Sequence, residues 1–317
     1  MTKKLKLKDS LSALLRQKEQ TEIAARKRAL ATGTGKSSEA KAKASVGKRR
    51  LPPFPYSFGD RILAIGEGNF SFTRAVAQVL EVGCGITATS YDDEAVVHEK
   101  YADAADHIRD LQERAATVMY GVDGTALEKC KALRGQRFTH IVFNFPHTGS
   151  GIKDMNVNVL GNQKLILGFL TSAVSFLTDP ERFPDTDLVP GQIHLATKTG
   201  MPYDLWRVRD VAHNTGQLVC TKCDLFYPDH FPGYEHRRTL GFQEGRSVAQ
   251  NAEITKAKAR LYVFVRGNYS EYMGEKKVAD RKNEQRRKHQ QKLLKKHGPH
   301  SELVSGLGKR KFDGKDN

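Results

Sequence analysis

Between about residues 60 and 266, apolar residues fall in short runs separated by stretches with helical spacing. Arg61–Gly66 (RILAIG) is a continuous apolar run ending in glycine, the pattern of a strand buried on both faces. Phe72, Val76, Val79 and Leu80 then recur every three or four residues, predicting a helix over 70–82. Ile86–Tyr91 (ITATSY) predicts a second strand, and a helix follows through His98 to Ala105. Ala116–Val122 and Thr139–Phe145 (THIVFNF) predict two more strands, Val159–Leu177 a long helix, Gln192–Thr197 a strand and Leu205–Asn214 a helix. Leu218–Phe226 and Arg260–Val265 close the series as strands, with no helical pattern between them. Strands alternating with helices predict an α/β domain: a mainly parallel seven-stranded sheet with helices on both faces. The helix-free last connection predicts that the final strand pair is antiparallel.

Charge divides the 317 residues differently. Residues 1–50 carry 15 Lys and Arg against 4 Asp and Glu, and residues 271–317 carry 14 against 7. The middle is nearly neutral, so the net +16 belongs to the two ends. The organisation expected is a basic flexible extension (1–50), a folded domain (51–270) and a basic, helix-prone tail (271–317). A basic helix is expected over 1–30, and Ala31–Arg50 is linker-like in its Gly, Ser, Ala and Lys. Lys276–Lys296 has helical propensity but little apolar face, which predicts ordering on a partner. Two basic ends fit attachment to nucleic acid through phosphate neutralisation, or solvation and nuclear import through Lys48-Arg49-Arg50 and Lys309-Arg310-Lys311. No apolar run reaches the roughly 20 residues of a membrane span, and no secretory signal is apparent. Four cysteines make no disulfide framework. A reducing, intracellular compartment is expected.

Candidate chemistry sits where the predicted strands end. Gly66-Glu67-Gly68-Asn69-Phe70 joins the first strand to the first helix, where an α/β sheet holds a ligand against a helix N-terminus. A dinucleotide fingerprint needs glycine at 71, and Ser71 disfavours nicotinamide cofactors. Asp92 ends the second strand, where a carboxylate can accept both ribose hydroxyls of an adenosine. Asp123 follows the third, within reach of an adenine amino group. Either Asp alone reads more readily as a helix cap. Together with the glycine turn, in this order, they indicate an adenosyl ligand.

The fourth strand ends in Asn144-Phe145-Pro146-His147-Thr148-Gly149. Proline stiffens this turn. The segment resembles the Asn or Asp followed by Pro and an aromatic that nitrogen-directed class I methyltransferases carry here, which implies that Asn144 positions a target nitrogen while Phe145 stacks on a base. The alternative is an ordinary strand-terminal turn with Asn144 bonded to backbone. These segments resemble the eukaryotic large-subunit (25S) rRNA uridine-N3 methyltransferases. The resemblance is carried by 65–72 (IGEGNFSF), 89–92 (TSYD), 121–125 (GVDGT), 143–149 (FNFPHTG) and 231–239 (FPGYEHRRT). It implies a Rossmann-like class I methyltransferase fold and S-adenosylmethionine as cofactor, held by Gly66, Glu67, Gly68, Asn69, Phe70, Asp92, Asp123 and Asn144. It also implies transfer to uridine N3 in the pre-ribosomal large subunit, in the nucleus and nucleolus, by a monomer. The alternative is a non-catalytic ribosome-assembly factor that keeps the fold. Uridine N3 must lose its imide proton before in-line attack. His147 is the titratable group nearest the motif and the expected base, with Asn144 and Pro146 setting the geometry.

Two further groups complete the expectations. Tyr227–Arg238 (YPDHFPGYEHRR) mixes aromatics, prolines and cations in a loop, suiting Tyr234 and His236 to base stacking and Arg237 and Arg238 to phosphate. Lys198, ending the fifth strand, and Trp206 are candidates at the rim, with packing the commoner fate of a Trp. Cys220 and Cys223 form a lone CxxC whose members should face opposite sides of a strand, so no metal site is expected.

Overall fold

The computed structural model describes residues 51–152, 154–181, 189–239 and 251–297. The helix expected over 1–30, the linker to Arg50 and the cluster at 309–311 lie outside them. The elements in chain order are β1 (Ile62–Ile65), α1 (Ser71–Val79), β2 (Ile86–Thr89), α2 (Glu94–Lys100), α3 (Ala104–Glu113), β3 (Thr117–Met119) and β4 (His140–Asn144). They continue with α4 (Met155–Ala173), β5 (Gln192–Thr197), α5 (Val208–His213), β6 (Leu218–Leu225), α6 (Ala252–Lys256), β7 (Arg260–Arg266) and α7 (Tyr269–His297).

The seven strands form one sheet in the order β3-β2-β1-β4-β5-β7-β6. β1 pairs in parallel with β2 and β4, and β5 in parallel with β4, while β7 runs antiparallel to both β5 and β6. Strand order reverses between β1 and β4, and a doubly wound sheet opens its ligand crevice at the carboxyl ends of such strands. Side chains alternate between two cores. Leu63, Ile141, Phe143, Ile193 and Leu195 pack beneath Ile166, Phe169 and Leu170 of α4, and Ile62, Ile86, Ala88 and Val142 pack beneath Phe72 and Val76 of α1. Both faces are buried, which is why the strands read as unbroken apolar runs.

Local departures from the sequence pattern have identifiable causes. The helix expected through His98–Ala105 is two helices, because Tyr101 takes an extended conformation and is buried against the glycine turn. The long helix starts at Met155 because the Asp154 carboxylate caps it, accepting from the Val157 N–H at 2.9 Å. The connection from β6 to β7 is not free of helix: it contains a 3₁₀ turn at Pro228–His230 and α6. A bulge at Thr221 puts Cys220 opposite Phe264 and Cys223 opposite Tyr262, two residues apart on β7. Both cysteines therefore lie on one face, not on opposite faces. Among the described residues there is no group of three or more potential metal ligands, and no helix long and apolar enough to cross a membrane. Lys276–Lys296 is helical within α7, and the boundary expected at 270/271 falls in its first turn.

Candidate active site

The glycine turn leaves the carboxyl end of β1. Gly66 has φ +65°, and a Cβ there would stand 2.6 Å from Cε2 of Phe143, so both conformation and space demand glycine. The Glu67 N–H donates to the Thr89 carbonyl at 2.8 Å, tying the turn to β2. Burial pushes the Glu67 carboxyl up to about 7. Phe70 closes the turn in the left-handed region at φ +60°, its ring fully buried. Asn69 is consumed by the turn itself. Its amide accepts from the Ser71 N–H at 3.2 Å and donates to Asp103 at 2.8 Å, and its carbonyl accepts from His107 at 2.7 Å.

Both strand-end acids are present at this edge, and both have protein partners. Lys100 Nζ lies 2.9 and 2.8 Å from the two Asp92 carboxylate oxygens. A carboxylate has about four acceptor sites, so Asp92 keeps capacity for hydroxyls. Asp123 is exposed and accepts from the Thr125 N–H and hydroxyl at 2.8 and 2.7 Å, closing a local turn and not the helix cap that was its alternative reading.

Asn144 is different. Its amide nitrogen and oxygen are both buried, and neither has a partner among the described residues. A buried amide without partners costs roughly 1–3 kcal/mol. Retaining that cost at the end of β4, beside the crevice, fits a group meant to bind cofactor or target. Around Asn144 the turn is rigid. Phe145 has φ +54° and donates its N–H to the Ala196 carbonyl at 2.9 Å. The Thr148 N–H donates to the fully buried Asn162 of α4 at 3.0 Å. Nothing in the sequence marks Asn162, a polar residue inside an apolar helix.

Beyond Asn144 lies a cavity of about 250 Å³, lined among others by Phe145, Pro146, His147, Lys198, His236 and Arg238. Small-molecule pockets generally run from about 300 Å³ upward, so this one suits a single planar base. Tyr203, Trp206 and Glu253 also line it; Trp206 is a rim candidate expected from sequence, while Tyr203 and Glu253 were not singled out. They come from two distant segments, a 3₁₀ turn at Tyr203–Trp206 and α6, that only the fold brings together. The Trp206 Nε1 is buried without a partner among the described residues. The His236 ring packs 4.6 Å from that of Phe145. Lys198 Nζ is 2.6 Å from Glu253, and Arg238 is 3.2 Å from the same oxygen. Two cations against one carboxylate leave one positive charge facing the cavity. Both imidazoles are neutral at pH 7: burial and then Lys198 lower His147, and burial, with Lys198 second, lowers His236 to about 3.

Two expected RNA contacts are occupied elsewhere. Tyr234 is buried, packed on Phe72 and Phe226, and its ring is not available to stack on a base. Arg237 is held at 2.8 Å by Asp103 and at 2.7 Å by Glu235. It clamps the 234–238 segment over the glycine turn, where Ser71 Oγ also binds the backbone of Glu235.

Comparison with known proteins bears on this geometry. A family model described as rRNA (uridine-N3-)-methyltransferase BTM5-like matches residues 63–238, more than half the chain. The chain belongs to that family. The match runs from β1 to Arg238 and so takes in the glycine turn, both strand-end acids and the Asn-Phe-Pro-His turn. The chain is therefore an S-adenosylmethionine-dependent rRNA methyltransferase. An uncharacterized Arabidopsis thaliana protein is 34% identical over 59% of this chain and 85% of its own length. The Saccharomyces cerevisiae 25S rRNA (uridine(2634)-N(3))-methyltransferase is 28% identical over 66% of this chain and 74% of its own. Among solved structures, a predicted O-methyltransferase from Agrobacterium tumefaciens aligns over 66% of this chain and 75% of that one, at 15% identity and TM-score 0.39.

Proposed function

We propose that this protein methylates N3 of a uridine in large-subunit rRNA, acting as a monomer on the pre-ribosomal particle in the nucleolus. The observation that carries the reading is the unpartnered, buried Asn144 amide beside a base-sized cavity with one excess positive charge. The family match and the basic chain ends support it.

The residues divide the work as follows. Gly66, Glu67, Gly68, Asn69 and Phe70 form the turn that receives the cofactor, with Asp92 and Asp123 on its hydroxyls and amine. S-adenosylmethionine supplies an electrophilic methyl group. Asn144 bridges cofactor and target, and Phe145 and Pro146 hold the base in plane. Uridine N3 has no free lone pair until its proton leaves, and the negative charge then spreads over O2 and O4. Lys198 and Arg238 stabilise that anion.

His147 has a revised role. Its Nδ1 already accepts the Gly149 N–H at 2.9 Å, so the neutral ring carries its proton on Nε2. In that tautomer His147 donates to a uridine oxygen instead of removing the N3 proton. His236, neutral and on the same cavity, is the acceptor. Because N3 lies on the Watson–Crick edge, the uridine enters unpaired or flipped.

The test is nucleoside mass spectrometry of unmodified large-subunit rRNA incubated with the protein and methyl-labelled S-adenosylmethionine. Labelled N3-methyluridine is expected. Label on another nucleoside would reject the uridine assignment, and no label on either free rRNA or pre-ribosomal particles would reject catalysis.

A further inference from the structure

We propose that α7 is an RNA-binding arm that grips backbone phosphate at a distance from the target cavity, a role that rests on the proposed reading of RNA as substrate. β7 runs antiparallel to β5, with Arg260 beside Thr197 and Val265 beside Gln192. The chain therefore enters α7 at the amino-terminal edge of the parallel strands, opposite the edge that carries Asn144 and Lys198. The six residues of β5 separate the two edges by about 20 Å. α7 has 29 residues, about 43 Å of helix. Every side chain from Gly274 to Lys292 is exposed, so this length is not packed on the domain.

Charge along α7 is polarised. From Tyr269 to Glu284 four Lys and Arg are matched by four Asp and Glu. From Gln285 to His297 there are six Lys and Arg and no acid. The cationic part begins about 24 Å along the helix, well clear of the body. The length from Gly274 to Lys292 buries no side chain on the domain, and an acid-free cationic segment complements a polyanion. RNA is the polyanion the reaction already brings. A contact reaching from the cavity to this arm needs a large, structured RNA, since its two footholds lie on opposite edges of the sheet.

The experiment compares the full-length protein with R286Q/R287Q/K288Q/K292Q, binding a large-subunit rRNA transcript of several hundred nucleotides across a salt series. Glutamine keeps helix propensity close to that of Lys and Arg, and circular dichroism checks that the helix persists. Loss of four phosphate contacts should reduce the slope of log affinity against log salt by about three. An unchanged slope overturns the proposal. Equal competition by poly-glutamate at the same charge concentration would assign α7 to an acidic protein and also overturn it. Binding is read without methyl transfer, so a failure of the uridine assignment leaves this result standing, and an unchanged slope leaves that assignment untouched.

Discussion

The backbone N–H of Gly149 donates to Nδ1 of His147 at 2.9 Å, and this one bond decides which nitrogen of the neutral ring carries the proton. A donor to a developing anion is worth about 10²–10³ in turnover, so His147→Ala should lower kcat by that amount. Burial and then the nearby Lys198 lower its pKa below the ordinary histidine value, so the neutral ring predominates at pH 7 and above and contributes no limb to the rate profile there. Rate–pH profiles of the protein and the variant should therefore be parallel. An acidic limb present in the protein and missing from His147→Ala would restore His147 as the base.

Asn144 should separate activity from stability. Its amide atoms have no partner to lose and removing them relieves their burial cost, so Asn144→Ala should leave the protein at least as stable, with a gain of up to about 1–3 kcal/mol. Turnover should fall by at least about 100-fold, as for a lost positioning contact. Denaturant unfolding and single-turnover methyl transfer check the two halves. Unchanged turnover would remove Asn144 from the site.

Much of this was readable from the chain, for physical reasons that also set the limit. Strands buried on both faces announce themselves as apolar runs, so all seven are legible, and the ends of the parallel strands place Gly66, Asp92, Asp123 and Asn144 along one edge of the sheet. What escaped depends on partners far away in sequence. Arg237 reads as a phosphate ligand until Asp103, 134 residues earlier, is seen to hold it. Tyr101 breaks a helix because Gly68 leaves room for its ring. The Thr221 bulge is invisible to a period of two, and it reverses the facing of Cys223. Glu253, which sets the cavity's charge, stands in a polar stretch with nothing local to single it out.

Neighbouring arginines should behave differently. The Arg237 side chain is 18% exposed and joined to two carboxylates, whereas that of Arg238 is 45% exposed with Glu253 alone. Arg237→Ala should destabilise by about 1–2 kcal/mol, a Tm drop of roughly 3–6 °C in a domain of this size. Arg238→Ala should change Tm by under about 1 °C, since an exposed pair contributes little, and should instead weaken transfer to uridine. Differential scanning fluorimetry with initial rates distinguishes them, and the reverse assignment of effects would refute the placement.

Acid sensitivity should originate on the edge of the sheet opposite the site. There the buried His194 takes the Tyr56 hydroxyl on Nδ1 at 3.3 Å and has Nε2 at 3.3 Å from the Gln192 amide oxygen, an arrangement for a neutral ring. Burial first, then His140 and Lys222, lower its pKa to about 3, with Asp60 opposing them. A histidine with a depressed folded pKa binds its proton more readily when unfolded. Its neutral-state stability is complete above about pH 6.5 and lost as pH falls toward 3, by at most about 1.4 kcal/mol per pH unit. His194→Asn should lower Tm at pH 7 yet flatten the decline of Tm between pH 6.5 and 4. The pH slope, not the absolute Tm, is the readout, because the substitution also removes packing against Tyr56 and His140. A slope equal to that of the unaltered protein would place the acid-sensitive proton elsewhere, with His236, lowered to about 3 by burial, the next to replace.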